Sequence, residues 1–333
     1  MIKPISIYKK TEALQQSGDA ASGSAVTIGN FDGCHRGHQQ LFRKICQLRD
    51  QFGVFSMALT FDPNPKIFFH DVDNFNLFTN EQKIKAFAES GLDGGFFQRV
   101  NQDFLSTPYQ EFYHNLLRSG LNANHIVIGE NFRFGHKRTG TIDWLRDTAR
   151  SEGVSVYVEP PFLHDGQPVS SSRIRHDLIS GNIGGANAML GRPYSLSGRI
   201  LEGLRLGKTL GFPTANLGDV HQLVPAPGVY AGYTAIFQDD VLPAVLSLPE
   251  EAMPTVFNMG HTPTVRRRPD DQGLKIEGHI IDRQFEAGAL YGKQACFYLT
   301  HRLRDEVAFP GIAELKAQIS RDRQQARRLL SLT

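Results

Sequence analysis

The spacing of apolar positions predicts alternating strands and helices in the first half of the chain and closely spaced strands in the second. Residues 25–28 form a short β-branched run, and Leu41, Phe42, Ile45 and Leu48 then recur at helical spacing. The same reading predicts strands at 54–61, 94–100, 125–128 and 154–158 and helices at 80–90, 109–118 and 142–152. This alternation predicts a parallel sheet covered by helices. Two further helices are expected, one capped by Ser170 or Ser171 and one over residues 183–190. At Gly191-Arg192-Pro193 the helical period stops. Runs at 195–201, 228–237, 241–246, 274–281 and 294–299 read as strands, and residues 312–330 as an amphipathic closing helix. Closely spaced strands with turn signals predict a small antiparallel barrel.

In parallel sheets ligands bind where strands end. The turns after Ile28, Phe61 and Ile128 are all of that kind. The first reads Gly29-Asn30-Phe31-Asp32-Gly33-Cys34-His35-Arg36-Gly37-His38. Glycines let a main chain approach an anion, and a helix start offers unpaired N–H groups. His35 and His38, three apart on a first helical turn, share a face and can reach one phosphate. A purely structural turn stands as the other reading. The stretch fits neither a Walker loop, for lack of Gly-Lys-Ser/Thr, nor the dinucleotide fingerprint, since its glycines recur every four residues.

Three more stretches carry chemistry with an ordinary alternative beside it. Ser170, Ser171 and Ser172 with Arg173 and Arg175 form either a phosphate clamp or a helix cap with surface arginines. In the stretch 207–216, Thr214 and Asn216 lie two apart, so on an extended backbone their oxygens face one way, as a magnesium site needs. A plain hairpin around Pro213 is the alternative. Glu277 and His279 share one strand face, placed inward by a functional reading or toward solvent by an ordinary one. The basic residues between Arg321 and Arg328 are interleaved with aspartate and glutamines, which favours a solvated helix face over an RNA patch.

Length and composition narrow the class. A chain of 333 residues predicts two domains. A net charge of +2 argues against general nucleic-acid binding. The three cysteines, Cys34, Cys46 and Cys296, have no CxxC pairing, so neither a disulfide framework nor a zinc site is expected. Residues 1–16 hold no apolar core of a secretory signal, and no run reaches membrane-span length. A cytoplasmic protein without nucleic-acid or membrane partners is expected, as a monomer or weak homo-oligomer.

Taken in order, these motifs resemble the bacterial bifunctional riboflavin kinase/FMN adenylyltransferase (FAD synthetase) family along nearly the whole chain. The resemblance rests on His35-Arg36-Gly37-His38, Phe61-Asp62-Pro63, Asn131-Phe132-Arg133-Phe134-Gly135 and the serine-arginine stretch. In the second half it rests on Pro213-Thr214-Ala215-Asn216, Asn258-Met259-Gly260, the strand with Glu277, and Leu290-Tyr291-Gly292. It implies an α/β nucleotidyltransferase domain with a Rossmann-like parallel sheet over residues 1–185. A small antiparallel β-barrel kinase domain with a C-terminal helix is implied over 186–333. It implies two ATP- and Mg2+-dependent steps, riboflavin to FMN and FMN to FAD. By position Glu277 is the kinase base, and Thr214 and Asn216 hold magnesium and ATP beside Gly207, Lys208 and Gly211. His35 and His38 are implied to stabilise the ATP α-phosphate, with Gly29, Asn30, Asp32, Gly37, Asn131, Ser171, Ser172 and Arg175 as nucleotide contacts. Arg304 matches a flavin-side segment. The chain departs from the family pattern at residues 247–253 and 282–291, both on the kinase's flavin side. Impaired kinase activity and a non-catalytic flavin-binding regulator are the alternatives.

Overall fold

The computed structural model describes residues 4–70, 75–202, 214–237, 243, 245–261, 274–283, 285–286 and 288–332. The chain forms two compact units, Met1–Asp73 with Asn80–Ser170, and Asn74–Thr79 with Ser171–Thr333.

The first unit contains β1 (Ser6–Tyr8), α1 (Thr11–Ser17), β2 (Ser24–Ile28), α2 (Arg36–Phe52), β3 (Phe55–Asp62) and α3 (Pro65–His70). It continues with α4 (Asn80–Glu89), β4 (Gly94–Arg99), α5 (Gln102–Leu105) and α6, which starts at Tyr109–Glu111 and widens into π geometry over Phe112–Gly120. Next come β5 (Ala123–Gly129), α7 (Ile142–Ser151), β6 (Ser155–Glu159) and a small hairpin of β7 (Leu163–His164) and β8 (Gln167–Pro168). Six strands pair in the order β1-β4-β3-β2-β5-β6, every pair parallel. All five residues of β2 are buried, as a central strand covered on both faces requires. Val26, Ile28, Leu59, Ile126 and Ile128 meet Phe112, Leu117 and Leu145 in the core. From β2 the chain winds one way through β3 and β4, then returns to β2's other side with β5 and β6. The strand order therefore reverses between β2 and β5, the crevice where such sheets bind ligands.

The second unit starts with α8 (Ser171–Ile179) and α9 (Ile183–Leu190). Its strands are β9 (Tyr194–Leu201), β10 (Ala215–Gly218), β11 (Gly228–Phe237), β12 (Met253–His261), β13 (Leu274–Ile280) and β14 (Gln294–Arg304), and α10 (Ile312–Leu329) closes it. The strands form a closed barrel in the order β10-β13-β12-β11-β14-β9. Closure leaves no sheet edge among them. The long segment of the second unit begins at Ser171, and its α9 is fastened to the barrel. Asn187 Nδ2 donates to the Leu299 carbonyl at 2.8 Å, and its Oδ1 accepts from the Tyr194 N–H at 2.7 Å. Half of the expected strand at 241–246 lies outside the described residues; its described residues 243, 245 and 246 are not in a strand. The strand Met253–His261, which the apolar pattern did not mark out, supplies a barrel wall.

Candidate active sites

The turn after β2 adopts an unusual backbone. Phe31 and Cys34 have φ of 47° and 40°, and Gly33 has 77°. Left-handed non-glycine residues are strained and persist only where packing holds them. Here Phe31 is fully buried against Phe42 and Phe87, with ring centroids 5.0 and 5.8 Å away. The Cys34 N–H donates to the Phe31 carbonyl at 3.1 Å and closes the turn.

His35 caps α2 with its side chain. Its Nδ1 accepts from the His38 N–H at 3.3 Å. An accepting Nδ1 carries no proton, so the ring's N–H is at Nε2. The His35 and His38 rings stack 3.6 Å apart at 18°, and the Phe31 ring meets His38 edge-on at 5.2 Å. A Cβ on Gly37 would stand 3.3 Å from the His35 ring, a contact tight enough to press on the stack. The two imidazoles lie together, as their spacing predicts.

A cavity of about 620 Å³ opens where the turns after β2, β3 and β5 meet. Gly29, Asn30, Phe61 and Asn131 line it, and so do Phe104, Phe112, Phe132 and Phe134. Four cations, Lys66, Arg133, Lys137 and Arg138, line it as well, and among the described residues no carboxylate does. Aromatic walls with a cationic lining suit a planar, polyanionic ligand of nucleotide size. Asn30 Oδ1 is buried without a hydrogen-bond partner, an acceptor at the wall of this cavity. Lys137 and Arg138 both have left-handed backbones, with φ of 51° and 59°. The histidine pair is not part of the cavity lining; Gly29 and Asn30, on the same turn, are.

In the second unit Asn216 pairs with Glu277 across β10 and β13, and Glu277 pairs with Asn258 across β13 and β12. Three polar residues thus cross three strands in one row. Ile276 and Ile280 are buried while Glu277 and His279 are half-buried. Of the two placements open for Glu277 and His279, the structure shows the outer one: the small and apolar residues of β13 fill the barrel, and this pair stands on its outer face. Lys275 Nζ lies 2.7 Å from the Glu277 carboxylate. Thr214 precedes β10. Gly207, Lys208 and Gly211 lie outside the described residues.

Comparison with known proteins assigns both halves. The FAD synthetase family model matches residues 18–173 and the riboflavin kinase model residues 190–330. The bifunctional riboflavin kinase/FMN adenylyltransferase of Escherichia coli (strain K12) is 33% identical over 314 residues, covering 93% of this chain and 94% of its own. The chain belongs to the bifunctional riboflavin kinase/FMN adenylyltransferase family. The family member from Pseudomonas fluorescens is 32% identical over 308 residues, 92% of this chain and 93% of its own. A solved Streptococcus pneumoniae structure, described as a macrolide-efflux protein, has a TM-score of 0.80 at 24% identity over 98% of this chain and 99% of that one. That likeness is one of fold.

Within this family frame, two of the expected contact residues also make contacts inside the second unit. Arg175 on α8 stacks its guanidinium 3.8 Å from the Phe75 ring centroid and donates from Nε to the Phe75 carbonyl at 2.9 Å. Arg304 grips buried Asp322 of α10, with Nε 3.0 Å from Oδ1 and a terminal nitrogen 2.7 Å from Oδ2. Arg304 therefore fastens the closing helix to the barrel. Ser171 and Ser172 open α8 in the second unit, and Asp32 is buried in the turn after β2. Sequence reasoning missed the cations Lys66, Lys137 and Arg138 around the cavity, and Lys83. Lys83 had a signal: four residues before Phe87, it shares that residue's buried helix stripe.

Proposed function

We propose that the barrel half transfers the γ-phosphate of ATP to riboflavin and that the sheet half joins the resulting FMN to AMP from a second ATP, giving FAD and pyrophosphate. The observation that carries the second step is the cationic, aromatic-walled cavity at the reversal between β2 and β5. An FMN phosphate oxygen attacks the ATP α-phosphorus, and the bond to the β-phosphate oxygen breaks. The attacking group is already anionic, so the protein's task is to bring two anions together and to offset charge that grows on the α-phosphate. His35, protonated at Nε2, and its stacked partner His38 serve as donors there. Gly29, Asn30, Gly37, Asn131, Ser171, Ser172 and Arg175 are the proposed nucleotide contacts, and Asp32 belongs to the same turn.

In the barrel half Glu277 accepts the proton of the riboflavin 5′-hydroxyl as that oxygen attacks the γ-phosphorus. Phosphoryl transfer needs in-line placement and charge neutralisation more than covalent help. Thr214 and Asn216 carry hard oxygen atoms, the donors magnesium takes, and Asn216 stands opposite Glu277. Among the described residues no group of three or more His, Cys, Asp or Glu is placed to hold a metal. Thr214 and Asn216 are the residues that would hold such an ion, and it would supply neutralisation of phosphate charge. No helix among the described residues is long and apolar enough to cross a membrane. The proposed setting is the cytoplasm, and the proposed state a monomer or weak homo-oligomer.

The test is to supply riboflavin, ATP and magnesium and to follow FMN and FAD by chromatography. Both flavins accumulate in turn, with pyrophosphate released in the second step, and a chelator stops both. Conversion of supplied FMN without conversion of riboflavin removes the kinase assignment.

A further inference from the structure

Helix α4 buries two polar side chains, Gln82 and Lys83, in the first unit. Lys83 is 5% exposed, although its side chain ends in an ionisable amine. A lysine can usually extend its head to water, and burying the charge is expensive. A leucine or methionine at this place would fill the same space without that penalty. The surroundings show what the charge reaches. Lys83 Nζ makes a long hydrogen bond of 3.4 Å to Thr60 Oγ1, and Thr60 Oγ1 donates to the Asn30 carbonyl at 3.2 Å. Thr60 lies fully buried on β3. Asn30 lines the cavity. The chain of contacts thus runs from α4 through β3 to the turn after β2. The Phe97 ring stands 5.9 Å from the ammonium.

The carboxylate nearest in consequence is Asp32, 3% exposed in that same turn. Burial pulls Lys83 below the ordinary lysine range, while Asp32, then Cys34 and Asp62, act in the opposite sense. An uncompensated Asp32 would repel a triphosphate approaching the turn. A protonated Lys83 would supply the opposite charge from inside the domain, where salt screens it little.

We propose that Lys83 is a positioning residue for adenylyl transfer, holding the Asn30 wall through Thr60 and offsetting the charge of Asp32 so that the turn accepts the ATP phosphates. This rests on residues 29–38 being the phosphate site. It involves the nucleotide side of the reaction alone, so ATP and FMN respond differently to its loss.

The test uses the full chain and measures FAD formation from supplied FMN. Lys83→Met is expected to lower kcat/KM for ATP at least tenfold while KM for FMN stays within twofold. Riboflavin phosphorylation by the same preparation is expected to be unchanged. A folded Lys83→Met protein with kcat/KM for ATP within twofold of the parent overturns the proposal. Should Lys83→Met melt below the assay temperature, Thr60→Val carries the test, since it keeps the volume and the lysine but cuts the link. It is expected to raise KM for ATP at least threefold with KM for FMN unmoved; equal change in both constants overturns the proposal. His38→Ala is run alongside. If it retains full FAD synthesis, the phosphate-site reading fails and takes this proposal with it. If it loses FAD synthesis while Lys83→Met keeps it, the role of Lys83 alone is refuted.

Discussion

Asn216 and Glu277 stand directly opposite each other across β10 and β13, on the outer face of the barrel. The pairing places the proposed base beside the proposed magnesium ligand without help from any loop. Sites built on paired strands are held more tightly than sites on loops.

Glu277→Gln keeps the shape and removes the proton acceptor. FMN formation is expected to fall by about 10²- to 10⁴-fold, the usual worth of a general base. FAD formation from supplied FMN is expected to survive. Separate assays with riboflavin and with FMN decide it, and equal loss of both activities in a folded variant sinks the two-site reading.

His38→Ala is expected to show the reverse pattern. Removing one charge-stabilising donor lowers a rate by about 10²- to 10³-fold. Riboflavin phosphorylation should be untouched, because His38 belongs to the first compact unit. Intact FAD synthesis would remove this histidine from the mechanism.

Arg304 and Asp322 form a pair in which the carboxylate is only 4% exposed. Deleting one member leaves a buried charge alone, which costs about 3 kcal/mol or more. Arg304→Met is therefore expected to destabilise the barrel unit by about that amount in denaturant unfolding. Gln318 Nε2 also donates to Asp322 at 2.8 Å, so Asp322→Asn, which retains a polar group there, is expected to cost less. If Arg304→Met instead leaves stability unchanged and raises only KM for riboflavin, Arg304 is a flavin contact after all.

His125 provides a pH prediction. Its ring stacks on Phe52 at 4.4 Å, and burial holds it below the ordinary histidine range. A folded pKa below the unfolded one means that the unfolded chain takes the proton first. Stability is thus retained above about pH 6.5 and declines as pH falls below it. His125→Leu is expected to flatten the acid-side decline of the first unit between pH 7.5 and 5. Calorimetry of both proteins across that range checks it, and identical slopes refute it.

The sequence alone determined the kind of most major elements, though not the barrel strand Met253–His261, together with the change of fold class near residue 191 and the glycine-rich turn with its two histidines. These are local properties: a helical or strand period and a cap act over a few neighbours. Tertiary structure decided the matters that depend on distant partners. Alternation placed Glu277 and His279 on one face but left two choices of which face, and barrel closure made that choice by turning Ile276 and Ile280 inward. The sheet order brought the turns after β2, β3 and β5 around one cavity. Arg175 met Phe75, a hundred residues away, and Arg304 met Asp322, so neither arginine's partner was legible from its own neighbourhood. Lys83 shows the same division. Its helical stripe was readable, but a lysine on a stripe can extend to solvent or stay buried, and only the packing of α4 against Thr60 kept it inside.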